Sequence, residues 1–155
     1  MQNQGIKNTS GDTVTIFCDG ACSPNPGKGG WGAVLKYKGR KKEISGNERY
    51  TTNNRMELTA AVKALRQLKY PCTVTVYTDS KYLSDCFKQG WMEKWITKGW
   101  KTSSKKPVKN QDLWKELHSL SQKHTITWKW VEGHAGHPEN EYVDMLAVRA
   151  RSKLK

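Results

Sequence analysis

The stretch TVTIFCDG, residues 13–20, decides how the rest of the chain must fold. Its run VTIFC has apolar, β-forming side chains on both sides of the backbone, which is typical of a strand buried on both faces. The run closes at Asp19, and Gly20 predicts that the strand stops there. A carboxylate at the tip of a buried strand costs free energy unless a cation or several hydrogen-bond donors compensate for its lost hydration.

A second stretch, TVTVYTDS at residues 73–80, repeats this pattern with Asp79 in the equivalent place. Turn chemistry alone explains one strand that ends in aspartate. Two similar strands predict adjacent parallel strands, which place Asp19 and Asp79 side by side at their C-terminal ends.

The charge of the chain is strongly unbalanced. Among 155 residues, 27 Lys and Arg face 14 Asp and Glu, so the net charge is +13 and the pI is about 9.7. Such an excess indicates a polyanionic partner, most often a nucleic acid. Because no apolar run approaches 18 residues, we expect no membrane contact.

The length predicts a single domain at residues 13–155, preceded by a flexible polar tail at residues 1–12. That tail has no apolar segment typical of a secretory signal. The four cysteines are too scattered for a disulfide framework, and they fit the reduced thiols of a cytoplasmic protein. We expect a monomer without a small-molecule cofactor.

The middle of the chain predicts an α/β fold. Residues 19–32 predict an irregular turn whose glycines allow the backbone to approach a partner closely. The segment AVLKYKGRKKEISG predicts a hairpin with its turn near Gly39, so three antiparallel strands come first. Two parallel strands complete a five-stranded mixed sheet flanked by helices.

The clearest helix lies in TTNNRMELTAAVKALRQLKYP, where apolar residues recur at helical spacing. Thr52, Asn53 or Asn54 caps it, and Glu57 is predicted in its first turn, beside the apolar stripe. A glutamate there is favoured by the helix dipole alone. The alternative is that Glu57 points towards the corner that holds the two aspartates.

Tryptophans and lysines alternate in the segment WMEKWITKGWKTSSKKPVKN, residues 91–110. Trp91 and Trp95 share a face of a short helix. Core packing explains such a pair in most proteins, but the interleaved lysines favour a protruding handle that binds nucleic acid. The lysines are Lys94, Lys98, Lys101, Lys105, Lys106 and Lys109.

Four carboxylates lie at element ends or beside apolar stripes: Asp19, Glu57, Asp79 and, in the last helix, Asp144. Close carboxylates repel one another, and oxygen ligands without thiolate or imidazole select Mg²⁺ or Mn²⁺. Two such ions about 4 Å apart catalyse phosphoryl displacement. His134, in a glycine-rich loop, either relays a proton or is simply solvated.

The chain resembles type 1 ribonuclease H, of the bacterial and eukaryotic-nuclear kind, over nearly its full length. The motifs are CDGACSPNPGKGGWGA, TTNNRMEL, YTDS, GWKTSSKKPVKN and WVEGHAGHPENEYVD. The resemblance implies the ribonuclease H-like fold and hydrolysis of the RNA strand of RNA–DNA hybrids to 5′-phosphate and 3′-hydroxyl ends. It implies Asp19, Glu57, Asp79 and Asp144 as catalytic metal ligands, with two ions bound beside the substrate, and His134 as an aid to water activation and product release.

The resemblance also implies contacts to each strand of the hybrid. The RNA 2′-hydroxyls, which DNA lacks, would meet Gly20, Cys22, Asn25, Asn53, Asn54 and Glu57. The DNA strand would cross Trp91 and Trp95, with a phosphate at Thr52 and Asn110. The segment at about 91–110 resembles the basic protrusion of some members, which would add Lys98, Lys101, Lys105, Lys106 and Lys109.

Two departures from the family pattern stand out. Tyr50, with Arg49 beside it, occupies a position where some members have a phosphate-binding arginine, so the resemblance does not extend to that contact. The chain also ends soon after its last helix, at RSKLK, which we expect to affect stability more than chemistry.

Three other interpretations compete with this one. In the first, the chain would be a ribonuclease H domain of a reverse transcriptase. In the second it would be a hybrid-binding module without catalysis, and in the third a general basic binder of single strands. The first is disfavoured by the Met1 start and the basic protrusion, the second by the full set of carboxylates, and the third because it leaves those carboxylates unexplained.

Overall fold

The computed structural model describes residues 13–132 and 137–155, which form five strands and five helices. The strands are β1 (Val14–Cys22), β2 (Gly27–Tyr37), β3 (Arg40–Thr51), β4 (Thr73–Thr78) and β5 (Thr125–Trp130). The helices are α1 (Asn53–Arg66), α2 (Lys81–Lys88), α3 (Trp91–Thr97), α4 (Gln111–Lys123) and α5 (Pro138–Ser152).

The strands form one mixed sheet in the order β3-β2-β1-β4-β5. The pairs β1–β2 and β2–β3 are antiparallel, whereas β1–β4 and β4–β5 are parallel. The β1–β4 register ends at Phe17 opposite Tyr77, and two residues beyond that pair stand Asp19 and Asp79. The predicted mixed sheet and the predicted pairing of the twin strands are both confirmed.

The prediction that the first strand stops at Gly20 is wrong. Strand β1 continues to Cys22, with Asp19 opposite Gly32 and Cys22 opposite Gly29 on β2. Only the parallel ladder with β4 ends near Asp19. The glycines that predicted an irregular turn at residues 19–32 are therefore mostly strand residues, because pairing with β1 outweighs their weak intrinsic preference for strands.

Helices cover the sheet on two sides. Helix α1 packs on β1 and β2, with α4 against α1, and α5 packs on β1, β2 and β3. The larger core is centred on α1 and its side of the sheet, and the smaller one, beneath α5, contains Val34, Val143 and Leu146. Large side chains that are fully buried in the larger core include Ile16, Met56, Leu58, Leu65, Leu83, Met92, Trp114 and Leu117.

The predicted cap of α1 is present, and α2 has a side-chain cap as well. The Thr52 hydroxyl accepts a hydrogen bond from the Arg55 N–H at the start of α1, and Ser80 accepts one from Leu83 at the start of α2, both at 3.1 Å. Because α1 begins at Asn53, Glu57 falls in its second turn, and the prediction of the first turn is wrong. The helix dipole therefore does not explain this glutamate.

Trp91 and Trp95 take part in core packing, which is one of the two alternatives that the sequence left open. Both rings are half-buried and pack against the larger core. The Trp95 ring centroid lies 5.4 Å from that of Trp114, and the Trp91 ring lies 6.4 Å from that of Tyr82. The remaining ring surface faces outward beside the lysines.

Candidate active site

Three of the predicted carboxylates meet at one corner of the sheet. One oxygen from each of Asp19, Glu57 and Asp79 lies within 4.8 Å of the other two. Asp19 comes from β1, Asp79 from the residue after β4, and Glu57 from the second turn of α1. Sheet register and helix placement thus bring together residues that are far apart in sequence.

Gly20 explains why α1 reaches this corner. A Cβ atom on Gly20 would lie 2.6 Å from the Glu57 nitrogen and the Met56 carbonyl carbon, a distance that real contacts do not tolerate. The absence of a side chain therefore allows the α1 backbone to lie directly on β1. The Gly20 N–H also donates to Asp19 Oδ1 at 2.9 Å, which orients the carboxylate.

Burial leaves two carboxylate oxygens without partners. Asp19 and Glu57 are 2% and 5% exposed, and Asp19 Oδ2 and Glu57 Oε1 have no hydrogen-bond partner among the described residues. Burial first, and the charges of Glu57 and Asp79 second, raise the pKa of Asp19 to about 11. Burial and the charge of Asp79 also raise the pKa of Glu57 well above its usual range.

Asp144 reaches the same corner from the opposite layer. It is half-buried on α5, and its carboxylate lies near enough to Asp19 to raise the pKa of Asp19 further. It stands outside the tight group of three. The fifth predicted catalytic residue, His134, lies outside the described residues.

The group fits a hard divalent cation. Several carboxylate oxygens converge, and two of them have no donor within the described part of the chain. Mutual repulsion opposes ionisation of these carboxyl groups unless positive charge is supplied. Carboxylate oxygens without thiolate or imidazole suit Mg²⁺ or Mn²⁺ and not a zinc site. The acidic group can therefore bind metal.

A cleft of about 530 Å³ gathers many of the predicted substrate contacts. It lies between the start of α1 and the segment before α4. The Asn53 N–H donates to Asn25 Oδ1 at 3.1 Å, which fixes one wall. The predicted residues that line the cleft are Asn25, Thr52, Asn53, Asn54, Lys109 and Asn110.

Two residues that shape this cleft, Tyr82 and Arg55, were not predicted from the sequence. Tyr82 lines it, and its hydroxyl accepts a hydrogen bond from Asn110 Nδ2 at 3.4 Å. Arg55 donates to Asn110 Oδ1 at 3.4 Å and forms a salt bridge with Asp112 at 2.6 Å. Arg55 stands inside the TTNNRMEL motif, and that was the available signal, but its partners are too distant in sequence to be predicted.

The lysine-rich segment forms a second surface. One groove of about 360 Å³ is lined by Trp91, Trp95, Lys98 and Lys101, and a neighbouring one of about 500 Å³ adds Lys105. Lys106 is exposed outside these grooves.

The other predicted contacts lie nearer the carboxylates or at the end of β3. Gly20 is buried against α1. The Cys22 thiol faces the carbonyls of Pro24, Gly27 and Thr51. Tyr50 is 76% exposed, and Arg49 beside it donates to the carbonyl of Lys155.

Comparison with known proteins decides the family. The ribonuclease H family model matches residues 11–152. The chain belongs to the ribonuclease H family. It is 56% identical over 146 residues to the ribonuclease H of Francisella philomiragia, covering 94% of this chain and 95% of that protein. It is 58% identical over 142 residues to the ribonuclease H of a Chelativorans species, covering 92% of this chain and 87% of that protein.

A solved structure agrees with this assignment. LC9-RNase H1, described as a type 1 RNase H with the type 2 active-site motif, superposes with a TM-score of 0.83 at 30% identity, over 96% of this chain and 76% of that one. The predicted ribonuclease H fold is confirmed, and membership of this family makes the protein a nuclease of the hydrolase class. None of the described helices is long and apolar enough to span a membrane.

Proposed function

We propose that the protein is a metal-dependent endonuclease that hydrolyses the RNA strand of RNA–DNA hybrids to 5′-phosphate and 3′-hydroxyl products. The observation that carries this proposal is the group of Asp19, Glu57 and Asp79, in which one oxygen of each residue lies within 4.8 Å of the other two. Two buried oxygens of this group have no donor among the residues that the structure describes. Membership of the ribonuclease H family supports the same activity.

Asp19, Glu57, Asp79 and Asp144 are the proposed ligands of Mg²⁺, with Mn²⁺ as a substitute and two ions beside bound substrate. The ions would lower the barrier to attack by water and stabilise charge on the leaving oxygen. The chain's own task is to hold the carboxylates at fixed distances. Gly20 contributes by donating its N–H to Asp19 and by allowing the α1 backbone to pack directly on β1.

The proposed substrate path joins the cleft at the start of α1 and the lysine-lined grooves to the carboxylates. Asn25, Asn53 and Asn54, with Gly20 and Cys22, would contact the RNA strand, where an amide beside a 2′-hydroxyl distinguishes RNA from DNA. Thr52 and Asn110 would bind a DNA phosphate. Trp91 and Trp95 would contact the DNA strand, while the surrounding lysines neutralise phosphates.

We extend the proposal to the predictions that rest on sequence. His134 assists water activation and product release, residues 13–155 act as one catalytic domain, and the protein works as a monomer in the cytoplasm. Each follows from the resemblance, the composition or the length of the chain.

The first test is a cleavage assay with labelled RNA–DNA hybrid, with Mg²⁺ or with a chelator, beside double-stranded RNA and double-stranded DNA. We expect internal cuts in the RNA strand of the hybrid only, and only with metal. Products carrying a 5′-phosphate should accept no label from a polynucleotide kinase until they are dephosphorylated.

Asp19→Asn is the matched variant, because it keeps the shape of the side chain and removes the charge that binds metal. Cleavage should fall by about a hundred- to a thousandfold, the range for lost electrostatic stabilisation of a transition state, while hybrid binding is retained. An active Asp19→Asn protein, or hybrid binding by wild type without any metal-dependent cutting, would contradict the proposal. The second result would favour the non-catalytic binding module.

A further inference from the structure

Trp130 borders the carboxylate group, and the proposed reaction gives it no role. It is the last residue of β5 and is 37% exposed. Its indole N–H donates to the main-chain carbonyl of Asp79 at 3.0 Å. Its ring also lies beneath the Lys81 ammonium, whose nitrogen is 5.1 Å from the ring centroid.

The carbonyl of Asp79 stands where both neighbouring ladders have ended. The β1–β4 pairing stops at Tyr77, and the β4–β5 pairing stops at Thr78. The Val131 N–H then donates to the Thr78 carbonyl at 2.9 Å. The indole N–H therefore adds one hydrogen bond between β5 and the chain beyond β4, and this bond reaches the main chain of Asp79.

Asp79 depends on this main-chain contact more than its partners do. Asp19 and Glu57 are buried, so packing confines their side chains, whereas Asp79 is only half-buried. The next residue begins the cap of α2, where Ser80 donates its N–H to the Thr78 hydroxyl at 3.0 Å. Rotation of the Asp79 peptide would move its carboxylate away from the other two.

Lys81 is the second feature that Trp130 controls. It follows Asp79 by two residues, so its flexible side chain starts close to three mutually repelling carboxylates. An ammonium that paired with them would compete with a divalent cation for the same oxygens. The electron-rich face of the indole offers the ammonium a different partner.

We propose that Trp130 is a positioning residue for the carboxylate site, whose indole N–H fixes the Asp79 main chain and whose ring keeps the Lys81 ammonium off the carboxylates. This inference rests on the proposed function, because it concerns how well the same carboxylates hold a divalent cation. It assigns to Trp130 no contact with substrate.

The test measures binding of Mg²⁺ and Mn²⁺ by calorimetry, without nucleic acid. Trp130→Phe keeps an aromatic face and removes the N–H, so metal should bind about three- to tenfold more weakly, as for the loss of one hydrogen bond. Cleavage of hybrid should need correspondingly more Mg²⁺ for half its maximal rate, while the rate at saturating Mg²⁺ stays within about twofold, since no group that touches substrate is lost.

Trp130→Leu removes the N–H and the ring together, so it should weaken metal binding further than Trp130→Phe. Adding Lys81→Met to Trp130→Leu should recover the extra loss, because the competing ammonium is gone. Lys81→Met alone should bind metal as wild type does. Stronger binding by Lys81→Met alone would overturn the role of the ring.

Trp114→Phe is the matched control for the indole bond. It also loses an indole N–H bond, donated to the Tyr82 hydroxyl at 3.1 Å, but within the core. It should lower the melting temperature and leave metal affinity unchanged. Equal loss of metal affinity in Trp114→Phe and Trp130→Phe would mean general loosening and would overturn the inference.

The two proposals fail in different ways. If wild type neither binds divalent metal nor cuts hybrid, the proposed function itself is wrong. If wild type does both and Trp130→Phe has the same metal affinity as wild type, only the role of Trp130 is wrong. Because Trp130 lies half-exposed at a strand end, its variants should fold, and circular dichroism checks this.

Discussion

The side chain of Asp19 is almost fully buried, yet its proposed work requires a negative charge. In the absence of metal, burial and the neighbouring carboxylates raise its pKa from 3.8 to about 11. The folded protein therefore holds a proton that the unfolded chain releases at much lower pH. Metal binding must displace this proton, so affinity for metal should rise with pH.

At the residue scale, Asp19→Asn should stabilise the metal-free protein at pH 8. Stabilisation from the protonated carboxyl is complete below pH 3.8 and is lost as pH rises towards about 11, so the free energy of unfolding of wild type falls through that window. The variant lacks this loss. Its melting temperature in chelator should exceed that of wild type by about 3 °C or more, with the gap closing near pH 4.

Asp112→Asn provides a control of opposite sign. The hydrogen bond from Arg55 lowers the pKa of Asp112, so its contribution to stability is present above the usual carboxyl range and is lost as pH falls. Asp112→Asn should therefore be slightly less stable than wild type at pH 8. Added Mg²⁺ should raise the melting temperature of wild type and of Asp112→Asn, but not of Asp19→Asn. A destabilised Asp19→Asn protein at pH 8 would contradict this account.

At the element scale, the placement of α5 depends on two glycines of β2. A Cβ on Gly30 would lie 2.2 Å from the Ala147 carbonyl oxygen, and one on Gly32 would lie 2.6 Å from the Leu146 Cβ. The sequence predicted that these glycines allow close approach to a partner. The element that approaches them is α5, a helix of the same chain. Because α5 carries Asp144, this contact also sets the distance of that carboxylate from Asp19.

Gly30→Ala should displace α5 from the sheet. Overpacking of this kind costs about 1–3 kcal/mol, so the melting temperature should fall by about 3–10 °C. Cleavage at saturating Mg²⁺ should fall as well, because Asp144 moves with the helix. Thermal denaturation measures the loss of stability, and the hybrid assay measures the loss of cleavage.

Gly39→Ala separates lost stability from a displaced carboxylate. Gly39 has a φ of 78°, and a methyl group added there would meet no atom of the described residues within 4 Å. Alanine therefore costs backbone strain without a clash. It lies in the turn between β2 and β3, away from the carboxylates. We expect reduced stability with normal cleavage. Normal cleavage by Gly30→Ala would show that the packing of α5 on β2 does not determine the position of Asp144 that cleavage requires.

The sequence predicted those elements whose pattern is local. The apolar run before Asp19 and its twin before Asp79 predicted two adjacent parallel strands, and helical spacing predicted α1. The extension of β1 to Cys22 was missed because composition around the glycines indicates a turn, whereas pairing with β2 decides the structure. The salt bridge of Arg55 with Asp112 joins residues 57 apart, which no local pattern reveals.

At the scale of the whole molecule, negative charge is concentrated in a protein with a net charge of +13. Three acidic side chains meet at the carboxylate corner, while lysines surround the grooves beside Trp91 and Trp95. A polyanion would be attracted to the basic surface and directed towards the acidic corner, where bound divalent cations would offset the repulsion. Position of charge, and not only its total, should therefore govern binding.

Replacing Lys98, Lys101, Lys105 and Lys106 with Ala should weaken hybrid binding about tenfold or more near physiological salt. The slope of log affinity against log salt should become shallower by up to about 3.6, since each lost phosphate contact removes about 0.9. Binding is best measured in the Asp19→Asn background, by fluorescence anisotropy across a salt series, so that the hybrid stays intact.

The matched control removes the same total charge elsewhere. Lys63, Lys69, Lys123 and Lys153 are exposed and lie outside both grooves. Their replacement with Ala lowers the net charge equally, so a long-range effect of total charge would weaken binding in both variants alike. We expect the control to keep most of the wild-type slope, because direct phosphate contacts and not net charge determine counterion release. Equal slopes in the two variants would place the phosphate contacts outside the lysine-rich segment.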